Sequence, residues 1–215
     1  MASIQHRYTM GHMQFLPVTI MGVLDLPIEN IGFGPASRFN ISQNEIAWFL
    51  ADKWVPFQRL TVDLGLRFDR DSVTNSTNPA PRAGFALMLT RDAKTLLKGG
   101  AGLFYDRVPL NVASFPLLPD RTIESLGPTG EVLSSVTYVN TITAGLRNPR
   151  SIGWNVELDR QVTSAFLLRG GFQERNTARD FVLMPETDLG ILSLSNGGRS
   201  FYREFQLTGQ SGGVR

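Results

Sequence analysis

Cysteine is absent from the 215 residues, and histidine occurs only as His6 and His12. Without cysteine there is no disulfide framework, thiolate zinc site, iron-sulfur cluster or thiol nucleophile. With both histidines near the N-terminus, a histidine-based triad or histidine-rich metal site elsewhere in the chain is excluded. Charge is also sparse, 19% of residues against roughly 25% in an average soluble protein. Twenty-one basic against nineteen acidic residues leave +2, which offers nucleic acid no electrostatic hold. No apolar run approaches the roughly 20 residues of a spanning helix. The longest, Phe15 to Leu24, is broken by Pro17. It reads as a strand, with a signal-peptide core as the alternative. Apolar residues nevertheless make up 42% of the chain, too many for intrinsic disorder.

What the sequence does contain is period two. From Leu60 to Asp69 (LTVDLGLRFD) every even position is large and apolar and every odd one polar, charged or glycine. A helix would scatter these side chains, whereas a strand gathers Leu60, Val62, Leu64, Leu66 and Phe68 on one face. Weaker copies follow over Arg82–Thr90, Thr95–Arg107, Ile152–Gln161, from Phe166 through Phe172, and around Phe205 and Leu207. Glu45–Val55 is apolar on both faces, and Met13–Val23 forms a further candidate strand. No stretch sustains a 3.6-residue stripe, so the fold expected is all-β.

The links alternate in length. Pro56–Arg59, Arg91–Lys94 and Val162–Ala165 are tight, whereas Ser72–Pro81, Val108–Arg150 and Asn176–Ser200 read as long loops. In an up-and-down antiparallel sheet, alternate links lie at opposite ends, so the long ones share a rim. Outer-membrane barrels keep this asymmetry, with short periplasmic turns and longer extracellular loops. The pattern predicts an antiparallel transmembrane β-barrel, present as about eight strands with the apolar face in lipid. Asp63, Arg67, Asp69, Lys98, Asp106, Glu157, Asp159 and Arg169 then become candidate lumen-facing residues. Aromatic rings near strand ends (Trp48, Phe49, Trp54, Phe57, Phe68, Phe104, Tyr105, Phe172, Phe201 and Tyr202) suit interfacial girdles. A soluble sandwich or barrel with one wet face would show the same alternation.

Four stretches, taken in order, resemble the barrel region of TonB-dependent outer-membrane receptors, most of all the large Oar-like group with a carboxypeptidase-regulatory-like N-terminal domain. They are Trp48–Asp69, Pro81–Pro116, Asn148–Asn176 and Ser200–Gly209, with V-D-L-G-L-R-F-D and K-G-G-A-G-L-F-Y-D the sharpest runs. The resemblance implies a Gram-negative outer-membrane protein that takes up a bulky nutrient or metal chelate. It also implies partners: outer-membrane lipid, the remainder of the barrel and its plug, the TonB complex, and an unidentified transported ligand. Such a receptor has roughly 22 strands and an N-terminal plug, neither of which residues 1–215 supply, so the whole chain is expected to be one partial barrel domain. The family's usual aromatic C-terminal residue is not matched by Gly212-Gly213-Val214-Arg215. A passive porin, an adhesin barrel and a soluble all-β binding module stay open as alternatives.

No catalytic machinery or cofactor site is expected. The sequence has no H-E-x-x-H. Gly99, Gly100 and Gly102 lack the Gly-Lys-Ser/Thr ending of a phosphate loop. They suit a wall that another backbone approaches closely. Asp69 and Asp71 around Arg70 read as solvated carboxylates rather than a cation site. Glu157 and Asp159 read as lumen charges rather than a catalytic pair.

Overall fold

The computed structural model describes residues 2–13, 17–21, 27–35 and 37–211. In chain order the strands are β1 (Ala2–Met13), β2 (Val18–Met21), β3 (Pro27–Phe33), β4 (Ser37–Phe57), β5 (Leu60–Asp71), β6 (Ser76–Met88) and β7 (Thr95–Tyr105). A helix, α1 (Leu110–Ser114), and a single 3-10 turn, Phe115–Leu117, follow. Then come β8 (Arg121–Leu126), β9 (Val132–Ile142), β10 (Arg150–Thr163), β11 (Phe166–Glu186) and β12 (Ile191–Ser211). The sheet order is β1-β4-β5-β6-β7-β10-β11-β12-β9-β8-β3-β2.

Eight of these strands, β1, β4–β7 and β10–β12, form an antiparallel up-and-down wall. The other four lie in the links at one rim, so the expected eight strands are the wall alone. The wall is not closed among the described residues. β4 pairs with β1 only from Ala47 upward, and β12 pairs on its outer side only over Ile191–Leu194, where it meets β9 in parallel.

Ladder register carries the period-two pattern across the wall. One rung on the apolar face runs Leu50, Leu66, Pro81, and another Trp54, Val62, Phe85, Gly99, Val156, Phe172, Phe205. Phe85 fills the space over Gly99, where an added Cβ would fall 2.7 Å from its ring. The strand expected over Glu45–Val55 is β4, and it is mixed on both faces. Phe49 and Val55 lie on the polar face, while Asp52 lies on the apolar face opposite Leu64. β4, β11 and β12 have 21 residues each, twice the 9–11 that a bilayer requires, so their upper halves project past the rim.

Three expected loops are revised. Ser72–Pro81 is mostly strand: the turn occupies only residues 72–75, and β6 begins at Ser76. Asp71 Oδ1 accepts the Val73 and Thr74 N–H groups at 2.6 and 3.3 Å, an Asx-turn, and Asn75 takes the left-handed conformation at φ 49°. Pro79 and Pro81 suggest loop from sequence alone. They are tolerated because β6 bonds β7 only from Arg82 onward, leaving their edge without a ladder partner to donate to. Asn176–Ser200 is also strand, the hairpin of β11 and β12 turning at Thr187–Leu189. At Gly190 (φ 63°) a Cβ would lie 2.7 Å from the Thr137 carbonyl, so glycine alone lets this tip rest on β9.

Val108–Arg150 is a folded cap rather than a loop. Val108, Val112, Phe115, Tyr138, Leu192 and Leu194 form the buried hydrophobic core among the described residues, at the rim and not inside the wall. The strand expected over Met13–Val23 is in part β2, Val18–Met21; residues 14–16 and 22–24, and with them much of Phe15–Leu24, lie outside the described residues. So do residues 212–215. No helix among the described residues is long and apolar enough to cross a membrane.

Candidate functional site: the polar face of the wall

Alternation and register put Asp63, Arg67, Asp69, Lys98, Glu157, Asp159 and Arg169 on one face of the wall: Asp63 pairs with Gly84 and Gly84 with Gly100, two residues from Lys98, while Lys98 pairs with Glu157 and Asp159 with Arg169. They do not form one cluster. Asp63 lies 3.8 Å from Lys53 with both side chains exposed. Arg67 holds Asp69 on its own strand, Nε to Oδ1 and Oδ2 at 2.9 and 2.8 Å. Asp106 falls one residue beyond β7 and belongs to the rim, where its carbonyl accepts the Asn148 side-chain amide at 3.1 Å.

Lys98, Glu157, Asp159 and Arg169 do come together, from β7, β10 and β11. Lys98 Nζ reaches Glu157 at 2.6 Å and Asp159 at 2.9 Å, and Arg169 reaches Asp159 at 2.8 Å and Glu157 at 3.4 Å. Two cations and two carboxylates thus alternate and cancel. Asp159 is the most enclosed, and Asp159→Asn would leave both cations to Glu157. Its expected cost is about 1–3 kcal/mol, larger than that of Glu157→Gln, read as a lowered urea midpoint of the folded protein.

Higher on the same face lies a groove of about 520 Å³ that the sequence reading did not find. Its floor is backbone, because Gly100, Gly102 and Gly153 present no side chain. A Cβ at Gly102 would sit 3.1 Å from both Arg82 Cγ and the Phe104 ring. That space lets the Arg82 guanidinium lie 4.5 Å from the Phe104 ring centre, with Arg175 at 5.9 Å from the same ring. Asn155, Gln173 and Tyr202 complete the rim of the groove. Two guanidinium groups, an aromatic plate and two amides suit a planar or anionic ligand that accepts several hydrogen bonds. Phe104 and Tyr202 therefore belong to this groove rather than to a girdle. Trp48–Phe68 and Trp154–Phe172, with ring centres 5.6 and 5.2 Å apart, are the paired rings of the apolar face.

Asp71 is not a solvated carboxylate. It is buried, and its Oδ2 accepts the Gln43 side-chain amide at 2.5 Å, which also donates to the Val108 carbonyl at 2.9 Å. This knot fastens the start of the cap to β4 and to the β5–β6 turn. The one sequence cue for the cap's hairpin is Gly127-Pro128-Thr129-Gly130, a turn signal between Arg121–Leu126 and Val132–Ile142.

Sequence comparison finds no matching family model and no matching curated protein. Solved structures do match. The outer membrane transporter YddB from Escherichia coli superposes with a TM-score of 0.64 at 10% identity, over 96% of this chain and 30% of that one. The ferric enterobactin receptor PfeA of Pseudomonas aeruginosa (mutant G324V) gives 0.61 at 13%, over 83% and 28%. The siderophore receptor PirA of the same organism gives 0.60 at 15%, over 83% and 34%. The chain thus spans about a third of the length of the structures it matches. Eight antiparallel wall strands, tight turns at one rim and folded links at the other give the described residues the fold of part of the barrel wall of TonB-dependent outer-membrane receptors.

Proposed function

We propose that the chain is a section of an outer-membrane TonB-dependent receptor that imports a bulky nutrient or metal chelate, the plug and remaining strands being supplied outside these residues. The observation that carries this reading is the groove at Arg82, Phe104 and Arg175 on the polar face, open beneath a cap with its own core. In this orientation the apolar face meets outer-membrane lipid, and Asp63, Arg67, Asp69, Lys98, Glu157, Asp159 and Arg169 line the lumen. Among the matched proteins are a ferric enterobactin receptor and a siderophore receptor. Those names support an anionic iron chelate as the cargo class, one that two arginines and an aromatic plate accommodate.

The test is ligand titration and uptake with the intact receptor, using ferric siderophores of catecholate and hydroxamate type. Arg82→Ala and Arg175→Ala are each expected to weaken binding roughly tenfold, the value of one charge-assisted hydrogen bond. Uptake is expected to stop when the proton-motive force is collapsed. Uptake that continues under those conditions identifies a passive porin, and unchanged binding in both variants removes the groove from the cargo path.

A further inference from the structure

Charges on the apolar face follow a rule that changes with height. Taking about 2.5 Å of height per residue for a strand tilted near 40°, Trp154 and Glu174 stand about 22 Å above the β10–β11 turn. At that level Glu174 is neutralised, its carboxylate 2.9 Å from Arg203 on the neighbouring strand. Two rungs higher, past Ile152, Asn176 and Phe201, the apolar face turns basic. Arg150 pairs in register with Tyr105 and Ala178, and Ala178 pairs with Arg199. Arg150 is thirteen residues above Thr163, about 33 Å, which clears an apolar band about 25 Å tall. This is the headgroup layer.

The basic patch is built rather than incidental. Arg179 occupies a bulge between Ala178 and Asp180, in the left-handed conformation at φ 68°, which costs a non-glycine residue energy. Asn196 fixes that geometry. Its side-chain amide donates to the Arg179 carbonyl at 2.7 Å and the Arg147 carbonyl at 2.9 Å, and its oxygen accepts the Arg147 N–H at 2.7 Å. Arg147, Arg150 and Arg179 are close enough to interact: burial first, then the like charges of Arg150 and Arg147, lowers the pKa of Arg179, which lies above the spanning part of β11. Among the described residues none of Arg147, Arg150, Arg179 and Arg199 forms an ion pair. Ala178 leaves a notch between Arg150 and Arg199, whose Cα atoms are two strand spacings, about 10 Å, apart.

We infer that Arg150, Arg179 and Arg199 form a binding site, on the outer surface of the wall, for the phosphate-bearing headgroup of an outer-leaflet lipid. Guanidinium forks match phosphate oxygens bidentately, and the notch at Ala178 admits the headgroup. The acyl chains then run down the apolar face past Ile152 and Phe201, both exposed on it. A soluble anionic cargo has no reason to be met here, because the groove at Arg82 and Arg175 lies on the opposite face.

The inference rests on the membrane orientation given above, and the test separates the two. The intact receptor is extracted from outer membranes in mild detergent, and the phosphorylated glycolipid retained is measured by native mass spectrometry. Folding is read independently as heat-modifiable electrophoretic mobility. The triple variant Arg150→Ala, Arg179→Ala, Arg199→Ala is expected to stay heat-modifiable yet retain at least tenfold less lipid. The corresponding triple Lys variant is expected to keep most of it, and Arg91→Ala, at the opposite rim, all of it. Added to delipidated wild-type receptor, bisphosphorylated lipid A is expected to bind at least tenfold more tightly than its dephosphorylated form, with millimolar inorganic phosphate competing poorly. Equal retention by a folded triple Ala variant overturns the lipid site and leaves the membrane reading intact. Inorganic phosphate binding as tightly as lipid A overturns it in favour of a free-anion site. A wild-type protein that is never heat-modifiable overturns both.

Discussion

Leu158→Arg is expected to destabilise the assembled barrel by about 2–4 kcal/mol, the cost of a cation facing lipid near the bilayer midplane. Leu158 lies five residues above Thr163, about 12 Å up the wall, and its rung neighbours are Leu97 and Gly170. None of these offers the guanidinium a partner. The same substitution at Leu64 is expected to cost less, because Asp52 stands directly across the ladder from it on the same face. Asp63→Asn, one residue away on the polar face, is expected to change stability by no more than about 0.5 kcal/mol, its pairing with Lys53 being exposed and loose. Urea unfolding of the receptor in liposomes checks all three. Equal tolerance at Leu158 and Asp63 would mean that the apolar face does not meet lipid.

The second large effect belongs to the cap. Phe115 is buried with Val108, Val112, Tyr138, Leu192 and Leu194, so Phe115→Ala is expected to cost about 3–5 kcal/mol. The loss should be local. The 3-10 turn packs on β9 and α1 on the wall strand β4, and the β7–β10 and β10–β11 ladders below Arg150 include no residue of either. Protease added to intact cells is therefore expected to cut Val108–Arg150 quickly in the variant and slowly in the parent. Heat-modifiable mobility of the barrel is expected to be equal in both. Loss of the barrel together with the cap would show that the rim core supports the wall as well, and cleavage at Arg91–Lys94 from outside the cell would invert the topology.

The wall was legible because its information is local. Successive side chains on a strand point to opposite faces, so the alternation in Leu60–Asp69 assigns both faces of β5 without any knowledge of its neighbours. The tight links Arg91–Lys94 and Val162–Ala165 likewise announce turns by themselves. β4 was harder, since apolar residues on both faces erase the alternation. Pro79 and Pro81 misled because the effect of a proline depends on whether a neighbouring strand needs its N–H, and that neighbour is distant in sequence.

Sequence by itself therefore determined the strand class, the face of most wall residues and the rim shared by the links. Tertiary structure alone decided what those faces hold. Lys98, Glu157, Asp159 and Arg169 become one network, and Arg82 and Arg175 come to lie on one ring, only through the registers of β6, β7, β10 and β11. The cap core joins Val108 to Leu194 with no period to reveal it, and Asn196 sets the bulge at Arg179 from another strand. Register and long-range burial depend on which segments meet. That choice is made by pairing every backbone group across the whole sheet and by removing scattered apolar side chains from water, neither of which a local stretch of sequence encodes.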